Sequence, residues 1–277
     1  MDWCYQSKRT PMPAKPETIL AYLKAIEEHG QISVSTVSVK LAAIQHAHHT
    51  ANLISPLADP RVQEVWAGFR REHAVPSKRC LALTTAQIKK MLEECPPDVG
   101  GDRDAALLLV GFCGGLRRSE LAALNVEDIR WMDKGAVLTL RRTKTDQEGR
   151  GRVVAIPYLT PASCPARHLK AYLKRAEFTS GAVFRPVTRS GKTWKSDRLH
   201  PDSICRIVKR YATYAGLDGA NYSGHSLRAG FVTSARANGA DVVEIAQSTG
   251  HQDMSTLRAY IRHQDPFQEC AAFKLGL

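Results

Sequence analysis

Four short motifs in this chain gather the residue types needed to break a phosphodiester bond. Gly-Gly-Leu-Arg-Arg-Ser-Glu-Leu at 114–121 supplies two arginines and an acid, and Arg-Thr-Lys-Thr at 142–145 supplies a lysine. Gly-His-Ser-Leu-Arg at 224–228 adds a histidine and an arginine, and Gly250-His251 adds a second histidine ahead of Tyr260. Moving a phosphodiester onto a protein nucleophile requires neutral non-bridging oxygens, an aligned nucleophile and a proton for the leaving oxygen. Arginine suits the first task, because its planar fork donates two parallel charged hydrogen bonds and keeps its proton. Arg228 and one of the pair Arg117 and Arg118 are the candidates. Adjacent helix residues point about 100° apart, so both of that pair cannot face one phosphate. Glu120, one turn beyond Arg117, is placed to hold a guanidinium.

His225 and Arg228 stand at i and i+3, on one side of a helix start. An imidazole that titrates at about 6.5 moves protons near neutral pH. His251 follows Gly250 in a turn and can donate to the same phosphate. Lys144 falls between two strand-like segments, where an ammonium on a hairpin can protonate a leaving oxygen. Tyr260 is the candidate nucleophile, on a short helix that Ser255 can cap. Its phenol, with an ordinary pKa of about 10, needs nearby cations to favour the phenolate. Tyr22, Tyr172, Tyr211 and Tyr214 lie in amphipathic patterns and read as packing residues.

The elements that must position these groups are mostly helical. Pro16 suits a first helical position, and Ile19, Leu20, Leu23 and Ile26 mark a face before Gly30. Ser33 or Ser35 caps a second helix, with Val39, Ala42, Ala43 and His46 at helical spacing. A third helix runs from about Asp59 to His73, striped by Val62, Val65, Trp66 and Phe69. The stretch His73 to Arg79 breaks the pattern, so a domain boundary is expected there, dividing residues 1–76 from 77–277. Thr84 or Thr85 opens the next helix, and a buried helix runs from Asp102 to Cys113 up to Gly114-Gly115. The β signal lies at Ala136–Arg142 and Arg152–Ile156. Further helices are expected at about 161–177, 202–215, 226–238, 241–248 and 255–262. The fold class is mainly α with one small antiparallel β-sheet.

Composition agrees with a nucleic-acid partner. Lys and Arg number 39 against 27 acids, giving a net charge of +12 over 277 residues. Such a balance favours a polyanion. The longest apolar run, Ala105 to Cys113, is about half of what a bilayer span requires, and the start lacks the order of a secretory signal. No membrane partner is expected. Seven cysteines with no Cys-x-x-Cys pair read as reduced thiols of a cytoplasmic protein. His46, His48 and His49 lack neighbouring ligands for a metal and read as a solvated or phosphate-facing helix surface.

Together, Gly-Leu-Arg-Arg-Ser-Glu-Leu, the Lys144 hairpin, Gly-His-Ser-Leu-Arg, Gly-His-Gln and Tyr-Ile-Arg at 260–262 resemble the signature of the tyrosine recombinase (phage integrase) family. The flavour is that of its Cre-type branch. The resemblance implies a helical core-binding, SAM-like domain at the N-terminus and a catalytic domain after it. It selects Arg117 over Arg118 and implies Arg117, Lys144, His225, Arg228 and His251 as the activating set, Tyr260 as nucleophile and Glu120 as support. Lys40, Arg70, Arg71, Lys78, Arg79 and Arg142 are the expected DNA-backbone contacts.

The implied activity is that of a site-specific recombinase or integrase. It cleaves and rejoins strands through a 3′-phosphotyrosyl intermediate and a free 5′-hydroxyl, without metal or cofactor. Double-stranded DNA bearing a recombination site is the implied partner, held by a homotetramer with a dimer on each site. No small-molecule substrate is expected, and the place of action is the cytoplasm, on a bacterial or phage-type nucleoid. Relatives usually carry a further DNA-contacting helix ahead of the segment equivalent to Trp3-Cys4, so a DNA-binding remnant of an integrase is the competing expectation. A type IB topoisomerase-like activity is the other. In the tail, Phe267, Ala271, Phe273 and Leu275 can form a small apolar helix that packs into the next subunit or back onto its own.

Overall fold

A computed structural model describes residues 2–30, 32–74, 80–141, 151–159, 161–188 and 194–250. The chain divides into two compact units, Met1–Lys78 and Arg79–Leu277. The class is the expected one, largely helical with one small antiparallel sheet.

The first unit holds α1 (Asp2–Gln6), α2 (Pro16–His29), α3 (Val34–Thr50) and α4 (Pro60–Glu72). Proline at the start of α2 and α4 loses nothing, since the first helical N–H has no partner inside the helix. Ser33 caps α3 by accepting from the Thr36 N–H, and Asp59 caps α4 by accepting from the Arg61 N–H. Ile19, Leu23, Ile26, Val37, Leu41, Val62 and Phe69 form the core.

Two expected stripes are corrected. On α3 the buried side chains are Val37, Leu41 and His48, whereas Val39, Ala42, Ala43 and His46 are exposed. On α4, Val65 is exposed while Val62 and Phe69 carry the packing. The histidine run is also not uniformly on the surface. His48 is buried, with Nδ1 against the Ile44 carbonyl at 2.8 Å and Nε2 accepting from the Ala14 N–H at 3.0 Å.

The second unit runs α5 (Thr85–Glu93), α6 (Val99–Cys113), α7 (Arg118–Ala123), β1 (Ile129–Met132), β2 (Gly135–Leu140), β3 (Arg152–Pro157), α8 (Pro165–Ala176), α9 (Pro201–Tyr214), α10 (Gly224–Ala237) and α11 (Val242–Thr249). Its centre is α6, which packs against α8 and α10 and buries the run from Asp104 to Phe112. Complete burial of each leucine there contributes about 1.5–3 kcal/mol. Asp98 caps this helix by accepting from the Gly101 N–H, so it starts at Val99 and not at the expected Asp102. The buried carboxylate of Asp104 takes hydrogen bonds from Arg103, from Tyr211 at 3.1 Å and from Arg210, tying α6 to α9. Tyr172 donates to the Val183 carbonyl at 2.8 Å. Burial raises both phenols well above their ordinary pKa, so Tyr172 and Tyr211 are packing residues as expected.

The sheet has the order β1-β2-β3, antiparallel throughout. Strand β1 is an addition to the expected pair; at four residues it is too short for its alternation to stand out. Leu140 pairs with Arg152 at the end of the β2–β3 hairpin where the chain crosses from one strand to the other, and Lys144 falls in the sequence between them. Among the described residues no helix is long and apolar enough to cross a membrane.

Candidate active site

The loop Gly114–Arg117 leaves α6 and turns directly into α7. Gly115 has φ 55°, and a Cβ there would lie 2.9 Å from Thr249 Cγ2 and 3.0 Å from a ring carbon of Phe231. Glycine thus lets this loop seat against α10 and the end of α11. Arg117 occupies the N-cap position of α7. Its backbone N–H donates to Glu120 Oε2 at 2.9 Å, and its Nη1 donates to Glu120 Oε1 at 2.6 Å. The Glu120 residue is 3 % exposed, so its carboxylate is committed to these donors.

A second guanidinium reaches the same acid. Arg152, the first residue of β3, donates from Nη2 to Glu120 Oε2 at 3.0 Å and from Nη1 to the Ser248 carbonyl on α11. Burial lowers the Arg152 pKa; Glu120 opposes that shift and Arg117 adds to it. Arg118 turns away. It pairs with Asp202 of α9 at 2.9 Å and donates to Cys205. The divergence is that of successive positions at a helix start, and of this pair it leaves only Arg117 on the Glu120 side.

On α10, Ser223 caps the first turn by accepting from the His225 N–H at 3.2 Å, while Ser226 Oγ accepts from the Ser223 N–H at 3.0 Å. That box fixes the turn from which His225 and Arg228 project. Arg228 is 1 % exposed and donates from Nη1 to the Gly115 carbonyl at 2.8 Å, bracing the loop that carries Arg117. His225 keeps an exposed edge. Its pKa is lowered below the ordinary value, first by burial of the ring and then by the charges of Arg228 and Arg117. The neutral imidazole is therefore the resting form at neutral pH.

Arg117, Glu120, His225 and Arg228 are thus brought together from α7, α10 and the loop between α6 and α7, all in one unit. Lys144, His251 and Tyr260 lie outside the described residues, as do Lys78, Arg79 and Arg142. The segments leading into Lys144 and His251 are described. They are the Leu140–Arg152 hairpin base and the C-terminus of α11, where Thr249 is buried and Gly250 has φ 64°. In the first unit, Lys40 is half-buried on α3. Arg70 and Arg71 are exposed in the last turn of α4, Arg70 lying over the Trp66 ring at 5.6 Å.

A cluster of two arginines and a neutral histidine, with its one buried acid already shared by guanidinium groups, suits an anion with several oxygens. Sequence reasoning did not single out Arg152. Its one signal is a basic residue at the start of an apolar strand, which does not distinguish it from any strand-end arginine.

The phage integrase family model matches residues 82–266. The integrase/recombinase xerD homolog of Selenomonas ruminantium is 34 % identical over 277 residues, spanning 98 % of this chain and 80 % of that protein. Tyrosine recombinase XerA of Pyrococcus furiosus is 34 % identical over 194 residues, spanning 69 % of this chain and 60 % of that one. Among solved structures, the Tn1549 transposon integrase in complex with transposon right end DNA superposes with a TM-score of 0.63 at 17 % identity, over 94 % of this chain and 84 % of that one. The named relatives are of the Xer type, and the fold likeness extends to a transposon integrase. The chain belongs to the phage integrase family, the tyrosine recombinases, enzymes of site-specific DNA recombination.

Proposed function

We propose that this recombinase binds double-stranded DNA and cleaves it through a covalent link to Tyr260. Arg117 and Arg228 neutralise the non-bridging oxygens of the scissile phosphate, and Glu120 holds Arg117 in place. His225 and His251 donate to the same phosphate and assist proton movement. Tyr260 attacks the phosphorus, giving a 3′-phosphotyrosyl bond, and the 5′-oxygen leaves with a proton from Lys144. Attack by the 5′-hydroxyl of a partner strand reverses the bond and releases the phenol. These side chains supply each task without a metal or cofactor.

The N-terminal unit acts as the core-binding domain, with Lys40, Arg70, Arg71, Lys78, Arg79 and Arg142 contacting backbone phosphates. Two protomers occupy each site and four assemble at synapsis, in the cytoplasm. The Tn1549 transposon integrase, a neighbour in this fold, is bound to transposon end DNA, which supports DNA as the partner here.

The observation that carries the reading is the meeting of Arg117 and Arg228 around His225 in one unit. An Arg117→Ala variant tests it on a suicide duplex nicked beside the cleavage point. Covalent adduct formation should fall about 100- to 1000-fold with DNA affinity nearly unchanged. Equal loss of binding and cleavage would contradict the assignment.

A further inference from the structure

Arg152 stands where three segments meet. It is the last paired residue of the hairpin base, opposite Leu140, and Lys144 falls in the sequence between them. From there its two terminal nitrogens diverge, one to Glu120 Oε2 and one to the Ser248 carbonyl. Glu120 in turn holds Arg117 through the backbone N–H and the side chain. Ser248 lies in the last turn of α11, which delivers Gly250-His251. The fit is close: a Cβ at Gly250 would lie 2.7 Å from Arg152 Cδ. The Arg152 side chain is 12 % exposed, and its buried Nε has no hydrogen-bond partner among the described residues.

A surface ion pair does not explain this arrangement. The arginine sits beside a second arginine, which repels it, and in a site whose burial disfavours its charge. A lysine at the same place delivers a single point charge and cannot hold both acceptors in a fixed plane.

We infer that Arg152 is a positioning residue that sets the Leu140–Arg152 end of the β2–β3 hairpin, the Arg117–Glu120 pair and the Ser248–Gly250 end of α11 in register with one another. It acts through Glu120 and α11 and does not touch the phosphate. This rests on the assignment of Arg117 to the scissile phosphate given above.

The test uses the full chain on a nicked suicide duplex at saturating protein, so that the rate of adduct formation is read separately from DNA affinity. Arg152→Ala should slow adduct formation about 10- to 100-fold, the scale of a misplaced reacting group, with affinity within about twofold of wild type. In a Glu120→Gln background the same substitution should cost several-fold less, because the acceptor it works through has lost its charge and one of its two oxygens. Arg152→Lys should fold and fall between wild type and Arg152→Ala.

Unaltered cleavage by Arg152→Ala, or factors that simply multiply with those of Glu120→Gln, would overturn the inference. Should the alanine variant fail to fold, Arg152→Lys decides, and a wild-type rate for it overturns the inference. Arg117→Ala run alongside separates the two readings. Normal cleavage by Arg117→Ala sinks the site assignment itself, whereas a dead Arg117→Ala beside a fully active Arg152→Ala sinks the Arg152 inference alone.

Discussion

Arg228 reaches from the second turn of α10 to the carbonyl of Gly115, two residues before Arg117, at 2.8 Å. One proposed phosphate ligand therefore braces the loop that presents the other. The link predicts that Gly115→Ala harms both stability and chemistry. The new methyl meets Thr249 and Phe231 at a left-handed backbone, which costs about 1–3 kcal/mol. Denaturant unfolding should show that loss, and adduct formation should fall further than DNA binding. An unchanged midpoint would mean the loop adapts freely.

Replacing Arg228 by lysine keeps a charge but leaves a buried point cation in place of a fork. Adduct formation should drop about 100-fold or more, with retained DNA affinity as the control. A lysine variant cleaving at the wild-type rate would remove Arg228 from the phosphate.

Glu120 is buried and shared by Arg117 and Arg152. Removing the acid leaves two cations facing each other without a counter-charge, so Glu120→Ala should lose about 3–5 kcal/mol of folding stability. Glu120→Gln should lose less, since its amide oxygen still accepts. Equal midpoints for wild type and Glu120→Ala in urea would show that the acid is dispensable.

His225 should titrate below its ordinary value in the free protein, because burial, Arg228 and Arg117 all oppose its charge. The unfolded chain then binds the proton more readily, so stability present above about pH 6.5 declines as the pH falls towards the lowered folded value. A bound phosphodiester is anionic and should raise the midpoint again. Imidazole proton shifts followed by NMR, without and with DNA, test both signs. A free-protein midpoint above the ordinary value would contradict the first.

How much of this was legible in the sequence differs by element. The α10 motif declared itself because capping chemistry is local: Ser223 and Ser226 close the first turn, so the i, i+3 placement of His225 and Arg228 follows from order alone. The choice between Arg117 and Arg118 was not local. It turns on Asp202 and Glu120, which draw Arg118 and Arg117 apart at the short α7 start, and before the fold was known only the family resemblance chose between the two arginines. The face of α3 was misjudged because alanines carry little apolar signal in either phase, and Val37 and Leu41 set the packing instead. Arg152 stayed hidden because its partners, Glu120 and Ser248, are distant in sequence and meet it only in the folded unit.

Tyr260 is proposed to attack a phosphate held by Arg117 and Arg228. The direct measurement is to trap the covalent adduct on a nicked suicide duplex, digest it, and locate the nucleotide-bearing peptide by mass spectrometry. A single 3′-phosphotyrosyl adduct on Tyr260, and none from Tyr260→Phe, is the expected result. An adduct on another residue, or one that persists in Tyr260→Phe, would contradict it.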